Sequence, residues 1–228
     1  MAKRAKKRNK NKNLPIKKRV TQKNSPVNED ENSIQLLSYE ITDEPIHASS
    51  IPKEVQDEMN DLFIKTLKSP ESIIDRLEEL IKRYPNVPQL YNFISIAYSN
   101  LNNKEKSKHY VEKNYLKNPD YLFAKLNYAE ICMIEGNYEK VPEILDHKFD
   151  IKALYPEREI FHITEVVGFM GIAGSYFAHS GKKEQVELFY QSLKKLAPSH
   201  PYTKRLKKYL QIESVREVFS GLIGKSEV

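Results

Sequence analysis

Two prolines, Pro85 and Pro119, lie about 34 residues apart, and the order of aromatic, small and apolar residues around them recurs along the chain. Self-similarity at a fixed period of about 20 to 50 residues is typical of folds in which short structural units stack on one another. Each unit carries more apolar surface than it can bury alone, so about three units are needed for stability. The spacing therefore constrains the whole fold before any single element is predicted.

The clearest unit runs from residue 88 to residue 120. Its signature places are held by Tyr91, Ile94, Ser95, Tyr98, Leu101, Ser107, Val111 and Pro119, with a turn at Asn102 and Asn103. This order resembles the tetratricopeptide repeat, whose pattern over about 34 residues is W-x2-L-G-x2-Y, then A-x3-F, then P. The resemblance implies that each unit consists of two helices joined by a short turn.

A second unit follows at the same spacing and is less regular. Gly136 lies one full period after Asn102, and Ala129 holds the place of a small residue. However, Lys125 replaces the leading aromatic residue, and Pro142 falls early in the second helix. Because proline removes a hydrogen bond and clashes with the preceding turn, this second helix should be short or bent.

The remaining units are read from the residues that bound them. Counting back from Pro198 places Gly181 at a third turn, farther from the second turn than one period, so an insertion should lie roughly between residues 146 and 160. A degenerate first unit shows its pattern only in a second helix over residues 69–84. Pro201 opens one further helix, whose charged residues lie off its apolar stripe, as a terminal cap requires.

These observations predict an all-α fold, an α-solenoid of about three to four tetratricopeptide-like helix pairs with a C-terminal capping helix. The expected organisation is a disordered basic tail and linker at residues 1–33, a linker with an apolar segment at 34–53, repeats at 54–200, and a capping helix and tail at 201–228. With 30% charged residues and no transmembrane or signal segment, the chain is expected to be soluble and cytoplasmic. The single cysteine, Cys132, is expected to be buried.

The segment 1–24 carries eleven lysines or arginines and no aspartate or glutamate, so this tail should be disordered. Removing its eleven charges from the net +6 leaves −5 for the rest of the chain. Two interpretations stay open: salt-sensitive contact with nucleic acid or an anionic surface, or a solvated arm that in a eukaryote would read as a nuclear signal. The candidate nucleic-acid residues are Lys3, Arg4, Lys6, Lys7, Arg8, Lys10, Lys12, Lys17, Lys18 and Arg19.

An apolar segment within the linker is unusual for a free connection. Ile34, Leu36, Tyr39 and Ile41 partly alternate along it, as they would in an extended strand. The segment therefore either lies against another part of the molecule or, as we favour, forms a loosely packed N-terminal extension.

In tetratricopeptide proteins the first helix of each pair lines a binding groove. Carried onto this sequence, the resemblance assigns that role to Asn92, Phe93, Ile96, Phe123, Leu126, Asn127 and Met133. Of the polar places at which some members hold the carboxylate of a chaperone tail, only Asn127 is kept, so that role is rejected. A mainly apolar groove suits an amphipathic helix or an extended apolar peptide, but the same residues could instead be core or be covered by the chain itself.

Three glycines, Gly168, Gly171 and Gly174, recur within one predicted helix, where each costs about 1 kcal/mol relative to Ala. We favour close approach of a neighbouring helix as the reason, with close approach of a ligand backbone as the alternative. A phosphate loop is not indicated, because the Lys-Ser/Thr ending is missing.

No constellation of residues indicates catalysis. The six histidines are scattered without a second ligand at metal spacing, and no nucleophile motif or phosphate cradle is found. We therefore expect no enzyme activity, no cofactor and no metal. The expected function is a protein-protein interaction scaffold or chaperone-like adaptor that binds a partner peptide or helix. The alternative, which is compatible with it, is a nucleic-acid-associated accessory protein tethered by the basic tail.

Overall fold

The structure is a computed structural model that describes residues 18–19, 37–44 and 51–223. The fold is all-α, as predicted. Its helices are α1 Lys53–Lys68, α2 Ile74–Arg83 after a 3-10 turn at Pro70–Ile73, α3 Pro88–Asn100, α4 Lys104–Lys117, α5 Leu122–Ile134, α6 Lys140–Ile144, α7 Ile151–Leu154, α8 Ile163–His179, α9 Lys183–Leu196 and α10 Pro201–Ile223. Three short strands accompany them, β1 Lys18–Arg19, β2 Glu40–Thr42 and β3 Ile160–His162.

The turns between paired helices occur where the repeat spacing predicts them. Asn102, Gly136 and Gly181 all have a left-handed backbone, with φ of 58°, 84° and 68°. A Cβ added at either glycine would meet no atom within 4 Å, so backbone conformation rather than space favours glycine there. After the first of these turns, the side chain of Asn103 accepts a hydrogen bond from the N–H of Lys106 and caps α4.

Helices pack mainly against their neighbours in sequence. α3 packs on α1, α2 and α4, α5 packs on α4, α6 and α8, and α10 packs on α8 and α9. The signature residues of the clearest unit that face the cores, Tyr91, Ile94, Ser95, Tyr98 and Val111, are all buried. One core joins α1, α2 and α3, and a second joins α5 to α10. Among the described residues, no helix has both the length and the apolar character that crossing a bilayer requires.

The second unit departs from regularity as expected. Its second helix, α6, is only 5 residues long and contains Pro142. The buried ammonium group of Lys125 donates to the carbonyl of Ile144 at 3.0 Å and to the carboxylate of Asp146 at 3.2 Å. The ammonium group of Lys125 thus supplies a donor to a carbonyl that has no partner at the C-terminal end of α6. This explains why a cation stands where the repeat pattern has an aromatic residue.

The insertion holds the N-terminal apolar segment in place. β2 pairs in parallel with β3 and antiparallel with β1. Asp150 accepts hydrogen bonds from the N–H of Leu37 at 3.1 Å and of Ala153 at 2.9 Å, and the ring of Tyr39 packs edge-on against Phe161. Residues 37–44 therefore lie against the insertion, and the favoured expectation of a loosely packed extension is wrong for them. Ile34 and Leu36 of the same segment lie outside the described residues.

The boundary between tail and body needs a correction. Lys18 and Arg19 were expected in a disordered tail, but their backbones pair with Ile41 and Glu40. The physical reason is that β2 has a free edge once its other edge is paired with β3, and any extended backbone can complete it. The other candidate nucleic-acid residues of the tail lie outside the described residues.

Candidate interaction surface

The surface predicted to bind a partner is formed by four helices that lie side by side. α1, α3, α5 and α8 are the first helices of successive pairs, and each packs on the next. We call their shared outward side the first-helix surface. Its two ends differ, because the part on α1 and α3 is open and the part on α8 is covered by α10.

The open part carries large apolar side chains in contact with water. Phe63 and Leu67 of α1 and Ile96 of α3 are 47%, 57% and 37% exposed. The half-buried ring of Phe93 lies between the two helices, with its centroid 6.0 Å from that of Phe63. We call these four residues the open strip. An exposed apolar cluster of this kind often marks an interaction site in a globular protein.

Helix α1 is fixed in position by polar contacts on its other side. Glu54 accepts hydrogen bonds from Arg83 at 2.7 Å and from the hydroxyl of Tyr84 at 2.7 Å. The Tyr84 hydroxyl, followed by the charge of Arg83, holds the pKa of Glu54 below its usual value. The amide of Asn100 also donates to the carbonyl of Thr66 at 2.9 Å, which joins the end of α3 to α1. The open strip is therefore built on anchored helices.

Two asparagines predicted to contact a partner instead join helices. The side-chain oxygen of Asn92 accepts from the amides of Asn114 at 3.0 Å and Asn127 at 3.2 Å, and its own amide donates to the hydroxyl of Tyr121 at 3.4 Å. This cluster connects α3, α4 and α5. Asn127, the one residue kept from the carboxylate-binding pattern, thus uses its amide within the protein.

The glycines of α8 allow other side chains to approach its backbone. A Cβ on Gly171 would lie 2.1 Å from the ring of Tyr202, and a Cβ on Gly174 would lie 2.5 Å from Leu206. Both of these neighbours belong to α10. A Cβ on Gly168 would lie 3.1 Å from Leu126 of α5. The prediction of close packing is confirmed, and the helix that approaches Gly171 and Gly174 is the C-terminal cap.

Polar contacts fasten α10 over this part of the surface. The hydroxyl of Tyr202 donates to Glu130 at 2.8 Å, and Arg205 contacts the second carboxylate oxygen at 3.2 Å. The guanidinium of Arg205 also lies 5.1 Å from the centre of the Tyr202 ring. Burial, reinforced by the charge of Glu130, raises the pKa of Tyr202, so its hydroxyl stays protonated and remains a donor.

Two cavities flank the contact between α5 and α10. The larger measures about 480 Å³ and the smaller about 400 Å³. The larger is lined by Glu130, Met133, Ile134, Tyr138, Ser175, Ala178, His179, Arg205, Leu206 and Tyr209. The smaller is lined by Phe123, Leu126, Asn127, Ile163, Thr164, Val167, Gly168, Ala197, His200 and Tyr202.

The structure corrects the predicted groove at two positions. Leu126 and Met133 are only 3% and 7% exposed and belong to the second core, so they form the floor of the cavities and are not open groove residues. Phe123, at the start of α5, is half-buried at the smaller cavity, whereas Ile134, at the end of α5, is well exposed at the larger cavity. α10 covers α8 at Gly171 and Gly174, so the described part of α8 lines the two cavities on either side of α10 and not one continuous groove.

Two residues of the open strip were missed by the sequence reasoning. Phe63 and Leu67 lie on α1, whose unit shows the repeat pattern only in its second helix. The available signal was the pair of large apolar residues one turn apart on the side of α1 that adjoins its buried face at Val55 and Leu62. Whether Phe63 and Leu67 are exposed depends on which helices pack against α1, and the sequence does not give that packing.

A scan against protein-family models found no match, and a search of curated proteins found no similar sequence. The tetratricopeptide resemblance therefore stays a prediction.

Proposed function

We propose that this protein is a non-enzymatic scaffold or adaptor of the tetratricopeptide type, whose open strip binds a segment of a partner protein. The observation that carries the proposal is the exposure of Phe63, Leu67 and Ile96 beside Phe93 on two anchored helices. Fully burying an exposed side chain of this size contributes about 1.5–3 kcal/mol, so side chains that are 37–57% exposed still forgo roughly half of that for each residue. A partner that covers them recovers part of that free energy.

The shape of the surface favours a helix or an extended apolar segment as the partner. Helices that bind in grooves present apolar residues at three- and four-residue spacing, which matches the spacing from Phe63 to Leu67 on α1 and from Phe93 to Ile96 on α3. The protein also offers an internal parallel in α10, which packs as a helix over the equivalent place on α8. Support for an adaptor role therefore comes from the open end of the surface, not from its covered end.

The decisive experiment substitutes exposed residues only, so that the fold is preserved. Leu67→Glu combined with Ile96→Glu should remove most of the partners recovered with the full-length protein. Leu116→Glu is the matched control, because Leu116 is 78% exposed on α4, away from the open strip. A charge at core residue Leu126 would test stability instead. Circular dichroism checks that all variants remain helical.

The comparison between the double variant and the Leu116→Glu control decides whether the open strip binds partners. Partners lost from the double variant but retained by the Leu116→Glu control support the open strip as the binding site. Equal recovery with the double variant and the wild type would show that partners bind elsewhere.

A second candidate function, contact with nucleic acid, is favoured by the separation of charge. Eleven cations lie in the segment 1–24, while the rest of the chain is at −5, which is +6 minus eleven. Of these cations, Lys18 and Arg19 pair through their backbones with β2. We expect RNA binding that weakens steeply as salt rises and is lost when residues 1–17 are deleted. Binding that is insensitive to salt would exclude this mechanism.

A further inference from the structure

The larger cavity carries an exposed aromatic ring. The imidazole of His179, in the last turn of α8, lies flat on the ring of Tyr138, with ring centroids 3.3 Å apart and planes 2° from parallel. Both residues line the cavity, and His179 is exposed. Among the described residues, its ring stacks only with that of Tyr138. One face of the imidazole is therefore supported by Tyr138, and the other is left for a planar group of a ligand.

The side of α10 that borders this cavity carries a row of cations. Arg205 lines the cavity, and Lys208 lies three residues after it and four after Lys204, so the three side chains follow one another around the helix. Lys204 and Lys208 are exposed and have no acidic partner in the described part of the chain. The acid that lines the cavity, Glu130, is held by Arg205 at 3.2 Å and by the hydroxyl of Tyr202 at 2.8 Å.

The ends of α9 and α10 that meet at their shared turn are strongly basic. No aspartate or glutamate occurs between Glu187 and Glu213, a stretch of 25 residues that contains six lysines or arginines. The acid-free stretch of equal length at residues 80–104 contains only three. The six cations lie in the last turn of α9 and the first half of α10, so this end of the protein attracts anions although the chain after residue 24 is not basic overall.

An aromatic platform beside a row of lysines selects nucleic acid among anionic partners. Single strands are bound by rings on which bases stack and by cations that follow the phosphates. A membrane surface would require large apolar side chains among the cations, but none is exposed within residues 188–211. An acidic peptide would be matched best by arginines, and Arg205, the one arginine of that stretch, is already paired with Glu130.

We propose that the larger cavity and the row of cations on α10 bind single-stranded nucleic acid. One base stacks on the open face of His179, and Lys204 and Lys208 contact the neighbouring phosphates. The basic segment 1–24 contains no aromatic residue, so it cannot supply this stacking. The site rests neither on that tail nor on the open strip.

Fluorescence anisotropy with a labelled single-stranded RNA of about 10 nucleotides tests the row of cations in the full-length protein. Lys204→Glu combined with Lys208→Glu should raise the dissociation constant at least about tenfold at low salt, because two phosphate contacts are replaced by repulsion. The matched control is Lys82→Glu combined with Lys117→Glu, two exposed lysines of α2 and α4 whose replacement changes the net charge equally. All variants keep the basic tail, so the difference between the two pairs reports the site on α10. Equal affinity of the two pairs would overturn the proposal.

His179→Ala tests stacking separately from charge. Loss of a stack between a base and an aromatic ring should weaken RNA binding by at least about fivefold. His109→Ala is the control and should leave the affinity unchanged, because His109 is exposed on α4 and also contacts a tyrosine ring, that of Tyr110. Circular dichroism should show the same helical content in both variants. Photocrosslinking to RNA that carries 5-iodouridine should label the peptide that contains His179 or Tyr138.

The failure of this site can be told apart from the failure of the tail mechanism. Unchanged affinity of His179→Ala would overturn the stacking of a base in the cavity. If the variants at Lys204, Lys208 and His179 all bind RNA like the wild type while deletion of residues 1–17 abolishes binding, the tail alone accounts for the contact and the proposal is wrong. Weaker binding by these variants, with the tail intact, supports the site.

Discussion

Two alanine substitutions on α8 should differ in their effect on stability. Gly168 and Gly171 lie three residues apart on the same helix, and both face packed side chains. At Gly171 an added methyl group would lie 2.1 Å from the ring of Tyr202, which is held by its hydrogen bond to Glu130. At Gly168 it would lie 3.1 Å from the end of the flexible Leu126 side chain. The same chemical change thus meets a fixed ring in one case and a movable methyl group in the other.

The magnitudes follow from two competing effects. Replacing Gly by Ala inside a helix stabilises the folded protein by roughly 0.5–1 kcal/mol, because alanine loses less backbone freedom on folding. Overpacking a well-filled interface costs about 1–3 kcal/mol. We expect Gly168→Ala to be neutral or stabilising by up to about 1 kcal/mol, and Gly171→Ala to be less stable than Gly168→Ala by about 1–3 kcal/mol.

Urea denaturation followed by circular dichroism measures this difference. Limited proteolysis provides a second readout, because a displaced Tyr202 should release α10 and make the chain after residue 200 easier to cleave. Equal stability of the two variants, with α10 equally protected, would refute the conclusion that Gly171 is needed for the approach of α10.

Three further predictions concern other contacts. Burial raises the pKa of several tyrosines, Tyr155 among them. As pH rises above about 10, the unfolded state therefore loses these protons first, and the free energy of unfolding should fall. Tyr155→Phe should make this decline shallower, and an unchanged dependence of the unfolding free energy on pH in urea titrations would contradict the prediction. Lys125→Met should lower the free energy of unfolding by about 1–3 kcal/mol, because the carbonyl of Ile144 loses its hydrogen-bond donor. An unchanged midpoint of urea denaturation would show that water replaces the ammonium group. Asp150→Ala should accelerate hydrogen exchange across residues 37–44 but not in α1 to α4. Unchanged protection of residues 37–44 would mean that the strand pairing alone holds this segment in place.

The repeat spacing predicted the helices well because it reports local requirements. A left-handed backbone favours Gly and Asn over most other residues, so the turns at Asn102, Gly136 and Gly181 could be located from the sequence. The short α6 followed from Pro142 for the same reason. The spacing did not reveal whether Leu126 and Met133 face a partner or the protein interior, since an apolar residue suits either environment.

The sequence by itself determined the all-α class, the order of paired helices, the insertion and the need for close packing along the glycines of α8. These features depend on residues close together in the chain. The tertiary structure alone decided which end of the first-helix surface is open, because that depends on where α10 lies. Gly171 and Tyr202 belong to helices that are not consecutive in the sequence, yet their contact covers part of α8, whereas Phe63 and Ile96 at the other end of the surface stay exposed. Periodicity defines the face of a helix, but only its neighbours define what that face contacts.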